Sequence, residues 1–310
     1  MENMYDVIII GAGPAGLTAA IYSARGKLNT LVIEKTVVGG KSLVIDDLEN
    51  YPGFPEGISG YDLANKLEAQ AKKFNANIIM ADVKDIKQEV PFFKIITGTG
   101  ELFSKTVVIA SGSSYRHLSV EGEDRLIGRG VSYCAVCDGA FFKNQKIIVV
   151  GGGNTALHES IYLSRFASEV NIVHRRDEFR GSKVLQDKAA GNPKIKMILS
   201  SVITKINGSN KVESVIIKNL KEDKEYEFSV DGVFIAIGQI PNTECCKGLL
   251  KLDENGYIIT NEKLETSMPG MFAAGDVRNT NLRQVATAVG DGAYASSMVE
   301  EYLEEWKWHA

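Results

Sequence analysis

Two stretches of the chain share one order of apolar, glycine-rich and mixed positions. In each, a short apolar run leads into a glycine cluster and then into apolar positions at helical spacing: YDVIIIGAGPAGLTAAIYSA (5–24) and QKIIVVGGGNTALHESIYLS (145–164). A second apolar run follows each of them, LVIEK (31–35) and NIVHR (171–175). Runs of this length followed by a 3.6-residue period are typical of a strand that leads into a helix. The pattern therefore predicts a strand–turn–helix–strand unit that occurs twice.

The glycine clusters of both copies fit the turn that holds a dinucleotide pyrophosphate. In that turn the first glycine allows a tight bend, the second lets the pyrophosphate approach the backbone, and a third small residue packs the helix on the strand. The helix then points free N–H groups and a positive dipole end at the phosphates. The matching positions are Gly11 and Gly151, Gly13 and Gly153, and Gly16 and Ala156. One such cluster also occurs as a plain tight turn, but two in register predict two dinucleotide sites.

The two copies differ at the end of the second strand. Glu34 ends it in the first copy, where an acid can accept hydrogen bonds from ribose hydroxyls. The second copy has His174 there, followed by Arg175, Arg176 and Arg180. Guanidinium groups pair with a 2′-phosphate, which an acid would repel. The first copy thus favours an adenine nucleotide with a free ribose and the second favours NADPH, with a solvated acid and a solvated basic loop as the alternatives.

The distance between the copies predicts that one domain is inserted into another. SGSSYRH (111–117) and GQIPNT (238–243) have the glycine, serine and proline content of paired hinges. We expect one domain made of 1–113 and 243–310, and a second made of 114–242.

Further elements are expected in the first of these domains. The pattern predicts a helix at 61–74 and strands up to about VVIASGS (107–113). It also predicts a strand in GYIITNEKLETSMPGMFAAGDV (256–277) and a long helix of small residues at about 283–303. The fold class is therefore α/β.

Composition and charge narrow the choice of function. Of 310 residues, 44% are hydrophobic and 24% are charged, as in an ordinary soluble protein. A net charge of −4 provides no basic field for a nucleic acid. The apolar runs are far shorter than the roughly 18 residues of a membrane helix, and MENMYDV lacks signal-peptide features. We expect a cytoplasmic protein that binds neither nucleic acid nor a membrane.

Two of the four cysteines, Cys134 and Cys137, form a CxxC motif. A structural zinc site needs four ligands, and the other two cysteines, Cys245 and Cys246, are adjacent residues that rarely bind one tetrahedral ion together. A structural disulfide that closes so short a ring constrains the unfolded chain little. In a reducing compartment the motif is more often catalytic, and it lowers a thiol pKa. We favour a redox pair without a metal, with zinc and a structural disulfide as minor alternatives.

Six motifs in this order resemble those of low-molecular-weight thioredoxin reductase, over essentially the whole chain. They are GAGPAG, ENYPGFPEGISG, CAVCDG, GGGNTA, HRRDEFR, and MFAAGDVR followed by RQV. The resemblance implies two Rossmann-like domains in three-layer ββα form, one FAD and one NADPH per subunit, and a homodimer. It also implies a redox disulfide that reduces thioredoxin.

The resemblance assigns FAD to the discontinuous domain and NADPH to the inserted one. The implied FAD residues are Gly11, Gly13, Pro14, Ala15, Gly16, Glu34, Lys35, Gly40, Lys41, Asn50, Val83, Ala110, Gly112, Gly275, Asp276, Arg283, Gln284 and Val285. The implied NADPH residues are Gly151, Gly153, Asn154, Thr155, Ala156, His174, Arg175, Arg176, Arg180, Ile237 and Gly238. Asp276 is expected to hold the ribityl chain or the hydroxyls on its phosphate side. Arg283–Val285 are expected to open a helix whose N-terminus faces the flavin ring, where it stabilises negative charge.

The resemblance also gives each group of the redox motif a role. Cys137 faces the flavin and takes its electrons, whereas Cys134 attacks the thioredoxin disulfide and Cys137 then resolves the mixed disulfide. Asp138 is expected to move a proton to or from the departing thiolate, with an Asp-Gly turn residue as the alternative. The motif and the NADPH turn share a domain, so if both approach the same face of one flavin they cannot do so together. The resemblance implies that the domains rotate between the half-reactions.

Four positions depart from the family pattern. Lys41 stands where glutamine is common, Ser111 where threonine is common in an Ala-Thr-Gly turn, Val136 where threonine is common, and His158 where an acid is common. Two alternative functions remain: a reductase of another disulfide partner, such as a peroxiredoxin-reducing module or a glutaredoxin-like protein, and a flavin-binding sensor or scaffold without turnover. The CxxC-Asp motif and the arginine cluster argue against a protein without turnover, and thioredoxin reduction is the function we expect.

Overall fold

The chain passes twice between two units of structure. The structure, a computed structural model, describes residues 4–45 and 47–309. One unit comprises 1–114 and 240–310, and the other, inserted between them, comprises 115–239. Both crossings fall within the segments SGSSYRH and GQIPNT.

The strands and helices follow in chain order. The strands are β1 (Met4–Ile10), β2 (Thr30–Glu34), β3 (Asn77–Met80), β4 (Val83–Glu89), β5 (Phe92–Thr97), β6 (Gly100–Ile109), β7 (Ser113–Tyr115), β8 (Val131–Ser132), β9 (Lys146–Val150), β10 (Glu169–Val173), β11 (Ile195–Ile198), β12 (Ser201–Asn207), β13 (Ser214–Asn219), β14 (Lys224–Ser229), β15 (Gly232–Ile235), β16 (Gln239–Pro241) and β17 (Met271–Ala273). The helices are α1 (Pro14–Arg25), α2 (Gly60–Lys73), α3 (Ala135–Asp138), α4 (Asn154–Leu163), α5 (Lys183–Ala190) and α6 (Val285–His309).

The discontinuous unit is built on a mixed sheet in the order β3-β2-β1-β6-β5-β4. β1, β2, β3 and β6 are parallel, and β17 adds in parallel to the end of β6, whereas β4 and β5 are antiparallel. Successive residues of β1 face opposite sides: Val7 and Ile9 pack with α1, α2 and α6, and Ile8 and Ile10 join the core on the other face. Burial on both faces is why the last four residues of this strand, Val7–Ile10, are all apolar.

The inserted unit repeats this design with a fully parallel sheet in the order β11-β10-β9-β15-β8. Ile147 and Val149 of β9 face α4 and α5. Ile148 and Val150 face a second, antiparallel sheet, β12-β13-β14. Helices, parallel sheet and second sheet make three layers. The predicted α/β fold with two Rossmann-like units is confirmed.

The two predicted copies form the same local structure, β1–α1–β2 and β9–α4–β10. In the first copy the chain turns sharply at Gly11, whose φ is +104°. A Cβ on Gly16 would lie 1.9 Å from the Gly11 carbonyl oxygen, so α1 can approach the turn only with glycine there. The equivalent Ala156 in the second copy is fully buried, which shows that its turn leaves room for a methyl group and no more.

The strand predicted in 256–277 forms only near the end of this segment, where β17 leads into Gly275 and Asp276. Only β17 forms there, and the residues before it make isolated bridges instead of a continuous ladder. Leu264 has a φ of +60°, and Pro269 and Gly270 form a turn immediately before β17. A left-handed residue and a proline both interrupt a strand, which explains the difference.

The last helix also differs from its predicted bounds. α6 begins at Val285, so Arg283 and Gln284 precede the helix instead of opening it. The Thr287 hydroxyl accepts the Gln284 N–H at 3.1 Å and donates to its carbonyl at 2.9 Å, which holds Gln284 outside the first turn. At its other end the helix continues to His309, beyond the expected residue 303.

Candidate functional site

Cys134 and Cys137 are joined by a disulfide, with their Cα atoms 5.3 Å apart. Cys137 lies on the single turn of α3, Cys134 is the residue just before this turn, and α3 follows β8 of the inserted unit. Cys137 donates its backbone N–H to Cys134 Sγ at 3.2 Å. Both residues are partly exposed.

A buried serine holds Asp138 beside this pair. Ser132 Oγ donates to Asp138 Oδ2 at 2.5 Å and accepts the Cys134 N–H at 3.1 Å. Ser132 is fixed at the end of β8 and is only 4% exposed. One hydroxyl therefore links the carboxylate to the backbone of the first cysteine, an arrangement suited to proton exchange with a thiolate.

The turn between β1 and α1 leaves an open space at the N-terminus of the helix. A Cβ built on Gly13 would meet no atom within 4 Å. Glu34, at the end of β2, borders the turn and accepts the Ala12 N–H at 2.8 Å. The space thus offers helix N–H groups to an anion and a carboxylate to hydroxyl groups.

Residues that are distant in sequence meet in the same unit. Lys41 Nζ lies 2.6 Å from Asp276 Oδ2 and donates to Ser113 Oγ at 2.9 Å. Asn50 Nδ2 donates to Gln284 Oε1 at 3.0 Å. Four of the predicted FAD residues are therefore joined in two pairs.

The other predicted FAD residues lie at the ends of elements or outside the site. Lys35 is exposed and forms an ion pair with Asp82 at 3.3 Å, and the Arg283 guanidinium lies over the Tyr257 ring at 4.1 Å. These two side chains have protein partners of their own. The remaining members are placed at the start of α1 (Pro14, Ala15), after β2 (Gly40), at the start of β4 (Val83), after β6 (Ala110, Gly112), after β17 (Gly275) and at the start of α6 (Val285).

The turn between β9 and α4 has the same open space, because a Cβ on Gly153 would also meet no atom within 4 Å. His174 packs over this turn so closely that a Cβ on Gly152 would lie 2.2 Å from its ring. Burial, opposed by a hydrogen bond to the backbone of Glu178, lowers the pKa of His174 and favours the neutral imidazole. Its buried Nε2 has no hydrogen-bond partner among the described residues.

Three arginines follow His174 on one loop of the inserted unit. Arg175, Arg176 and Arg180 are exposed, and none of them forms an ion pair within the part of the chain that the structure describes. The Arg180 N–H donates to the Gly152 carbonyl at 2.8 Å, which ties the loop to the glycine turn. The other predicted NADPH residues lie at the start of α4 (Asn154, Thr155) and after β15 (Ile237, Gly238).

Comparison with known proteins identifies the family. The sequence matches the pyridine nucleotide-disulphide oxidoreductase family over residues 5–292. The chain belongs to this family. The thioredoxin reductase of Bacillus subtilis (strain 168) is 47% identical over 305 residues, which cover 98% of this chain and 96% of that protein. The thioredoxin reductase of Listeria innocua is 46% identical over 307 residues, which cover 99% and 96%.

A solved structure agrees with this assignment. The thioredoxin reductase of Streptococcus pyogenes has a TM-score of 0.94 at 47% identity, covering 98% of this chain and 100% of that one. The resemblance to low-molecular-weight thioredoxin reductase is therefore confirmed, and the chain is an oxidoreductase. No helix among the described residues is long and apolar enough to cross a membrane.

The two turns of this oxidoreductase fit the dinucleotides that its family implies. Each turn lacks a side chain where a pyrophosphate would approach, at Gly13 and at Gly153. Glu34 fits a free ribose, whereas the arginine loop fits a phosphorylated one. The unpartnered Nε2 of His174 is a further polar atom available to a ligand.

Sequence reasoning missed the residues that support the redox motif. Tyr133 OH donates to Glu123 Oε1 at 2.6 Å, and burial, followed by this bond, raises the pKa of Tyr133. Glu123 is only 1% exposed and also accepts the backbone N–H groups of Leu118 and Ser119. Glu123 lies in the run EGED, which resembles an ordinary acidic surface loop, so the sequence contains no signal of its burial.

Glu159 on α4 is the second residue that the sequence did not reveal. It makes a backbone hydrogen bond with Ala135, the residue after Cys134, and its Oε2 is buried without a partner among the described residues. Burial is the main cause that raises the pKa of Glu159 to about 7, from an ordinary value of 4.5. A carboxyl that titrates near neutrality thus lies behind the redox motif.

We expect Glu159→Gln to stabilise the protein above neutral pH. Because the folded-state pKa is raised, the stability that depends on this group is complete below pH 4.5 and falls as the pH rises to about 7. Replacing the ionisable carboxyl should raise the free energy of unfolding by up to about 3 kcal/mol at pH 8 and by little at pH 5. Urea midpoints of both proteins at the two pH values measure this, with the exposed Glu225→Gln as the control. Equal gains at pH 5 and pH 8 would contradict the assignment.

Proposed function

We propose that the protein is an NADPH-dependent thioredoxin-disulfide reductase that uses FAD. The observation that carries the proposal is the disulfide of Cys134 and Cys137 in the same unit as an arginine-lined glycine turn. The other unit has a second glycine turn with an acid at the ribose position. Relatives named thioredoxin reductase support the choice of substrate.

In this proposal the Gly13 turn, Glu34 and the residues around Asp276 bind FAD, and the Gly153 turn and the arginine loop bind NADPH. FAD, when bound, supplies the two-electron chemistry between the nicotinamide and the disulfide. Reduction opens the disulfide to two thiols. The protein's own task is to orient both groups and to exclude water.

The thiols then pass the electrons to thioredoxin by exchange. Cys134 Sγ attacks one sulfur of the substrate disulfide, so a new S–S bond forms as the substrate bond breaks. Cys137 Sγ attacks Cys134 Sγ in turn, which restores the enzyme disulfide and releases the second substrate thiolate. Asp138, held by Ser132, carries the proton that the departing thiolate needs.

The shared location of the disulfide and the NADPH turn also motivates a conformational step. The disulfide and the NADPH turn both belong to the inserted unit. In the proposed reaction the disulfide and the bound nicotinamide each exchange electrons with one flavin, which the other unit binds. We therefore propose a rotation of the units about the segments near residues 114 and 239 between the half-reactions. A homodimer in the cytoplasm remains part of the same proposal.

An anaerobic titration of the FAD-loaded protein tests the function. NADPH should bleach the flavin absorbance rapidly and NADH slowly, and oxidised thioredoxin should then restore the colour. Oxidised peroxiredoxin and glutaredoxin serve as competing substrates. Restoration by one of these and not by thioredoxin would overturn the choice of substrate, and a flavin that NADPH does not bleach would overturn the reductase itself.

A further inference from the structure

Two cysteines outside the redox motif form a separate thiol pair. Cys245 and Cys246 lie in a short 3-10 turn, Glu244–Cys246, that packs against β4 of the discontinuous unit. Their Sγ atoms are 3.6 Å apart. Cys246 is fully buried in the apolar core, and Cys245 is partly exposed beside it.

Neighbouring residues resist closure into a disulfide. Cα atoms across a trans peptide are about 3.8 Å apart, whereas disulfides usually need about 4.4 to 6.8 Å. The pair is therefore expected to remain a dithiol even where the redox motif is oxidised. Both sulfurs thus remain in the reduced form, with Cys245 as the accessible one.

The two thiols have different chemical characters. A hydrogen bond from Cys246, larger in effect than burial, lowers the pKa of Cys245, while the same contact and burial raise the pKa of Cys246. The accessible sulfur is thus the one that becomes a thiolate, which is the attacking form. The buried sulfur can follow as the second ligand.

We propose that Cys245 and Cys246 bind a trivalent arsenical that carries one organic group. Soft thiolates prefer soft acceptors, and the two Sγ atoms are only 3.6 Å apart, within the reach of one atom that binds both. Two S–As bonds form as two As–O bonds break, and the thiol protons leave with oxygen as water. The arsenic stays trivalent, so no electron is transferred.

The number of ligands favours this acceptor over a metal ion. A monosubstituted arsenical has two exchangeable positions, which one dithiol fills. Zinc needs four ligands, and the described residues contain no group of three or more His, Cys, Asp or Glu side chains that could hold a metal ion. The apolar surroundings of Cys246 also favour an acceptor that brings its own organic substituent.

Intact-mass spectrometry with phenylarsine oxide tests the site. The oxidised, FAD-loaded enzyme, without NADPH or reductant, should take up one equivalent that survives excess glutathione but not excess dimercaptopropanol. Cys134→Ser/Cys137→Ser should keep this adduct, whereas Cys245→Ser and Cys246→Ser should each release it at least tenfold faster. Cys246→Ala serves as a second variant, and circular dichroism establishes that each variant is folded.

Several results would overturn the proposal. They are the absence of an adduct on the oxidised enzyme, loss of the adduct in the redox-motif double variant, and retention in folded variants of Cys245 or Cys246. Diamide, which oxidises thiols, gives a further check. If it removes the mass of two hydrogen atoms and then blocks the arsenical, the pair closes readily into a disulfide, which contradicts the proposed dithiol. None of these readouts involves NADPH or thioredoxin, so the test is independent of the proposed function.

Discussion

Cys134→Ser and Cys137→Ser should each lower thioredoxin turnover by at least about 10³-fold, because neither variant can form the enzyme disulfide. Their trapped states should differ. Cys137→Ser keeps the attacking thiol without the resolving one, so a stable mixed disulfide with thioredoxin should accumulate. Cys134→Ser should form none, although NADPH still bleaches its flavin. Non-reducing gels and stopped-flow absorbance measure the two outcomes.

Cys245→Ser is the matched control for these variants, since it removes a thiol that lies outside the redox motif and in the other unit. It should retain wild-type turnover and form no mixed disulfide. A trapped complex with Cys134→Ser instead of Cys137→Ser would mean that Cys137 attacks thioredoxin and Cys134 resolves the mixed disulfide. Turnover that survives either motif substitution would remove the disulfide from the mechanism altogether.

The parts of the fold that could be predicted from the sequence are those specified over short distances. The last four residues of β1 and of β9 are all apolar and lead into the glycine turn. The helical period starts immediately after that turn. The pairing of β14 could not be predicted in this way. Its sequence, KEYEFS, is almost wholly exposed, and its position depends on β13, not on a core face of its own.

The same distinction applies to the site. The CxxC motif and the arginine loop are continuous in sequence, so their chemistry was visible there. The Lys41–Asp276 pair joins residues 235 positions apart, and Glu159 has an unusual pKa only because the fold buries it. Ser132 can hold Asp138 only because it lies at the end of β8, where its hydroxyl donates a hydrogen bond to the Asp138 carboxylate. Such contacts depend on tertiary packing, which hydrophobic periodicity does not report.

Arg176→Ala/Arg180→Ala should change the choice of coenzyme. Both arginines are exposed on the loop that follows His174, and the backbone N–H of Arg180 ties this loop to the Gly152 carbonyl of the glycine turn. A hydrogen bond to a charged group contributes about 1.5 to 3 kcal/mol, so losing both should lower kcat/KM for NADPH by about 10² to 10⁴-fold. NADH has no 2′-phosphate, and its kcat/KM should stay within about twofold.

Steady-state rates with each coenzyme measure this change, and Arg165→Ala is the control because it removes one arginine charge from the same unit away from the loop. It should leave both coenzymes unaffected. A fall that grows weaker at high salt would still fit the assignment, because exposed charges are screened. Equal losses for NADPH and NADH would mean that the arginines support the loop and do not recognise the phosphate. An unchanged NADPH preference would place the recognition elsewhere, and the open turn at Gly153 would then lack its selecting residues.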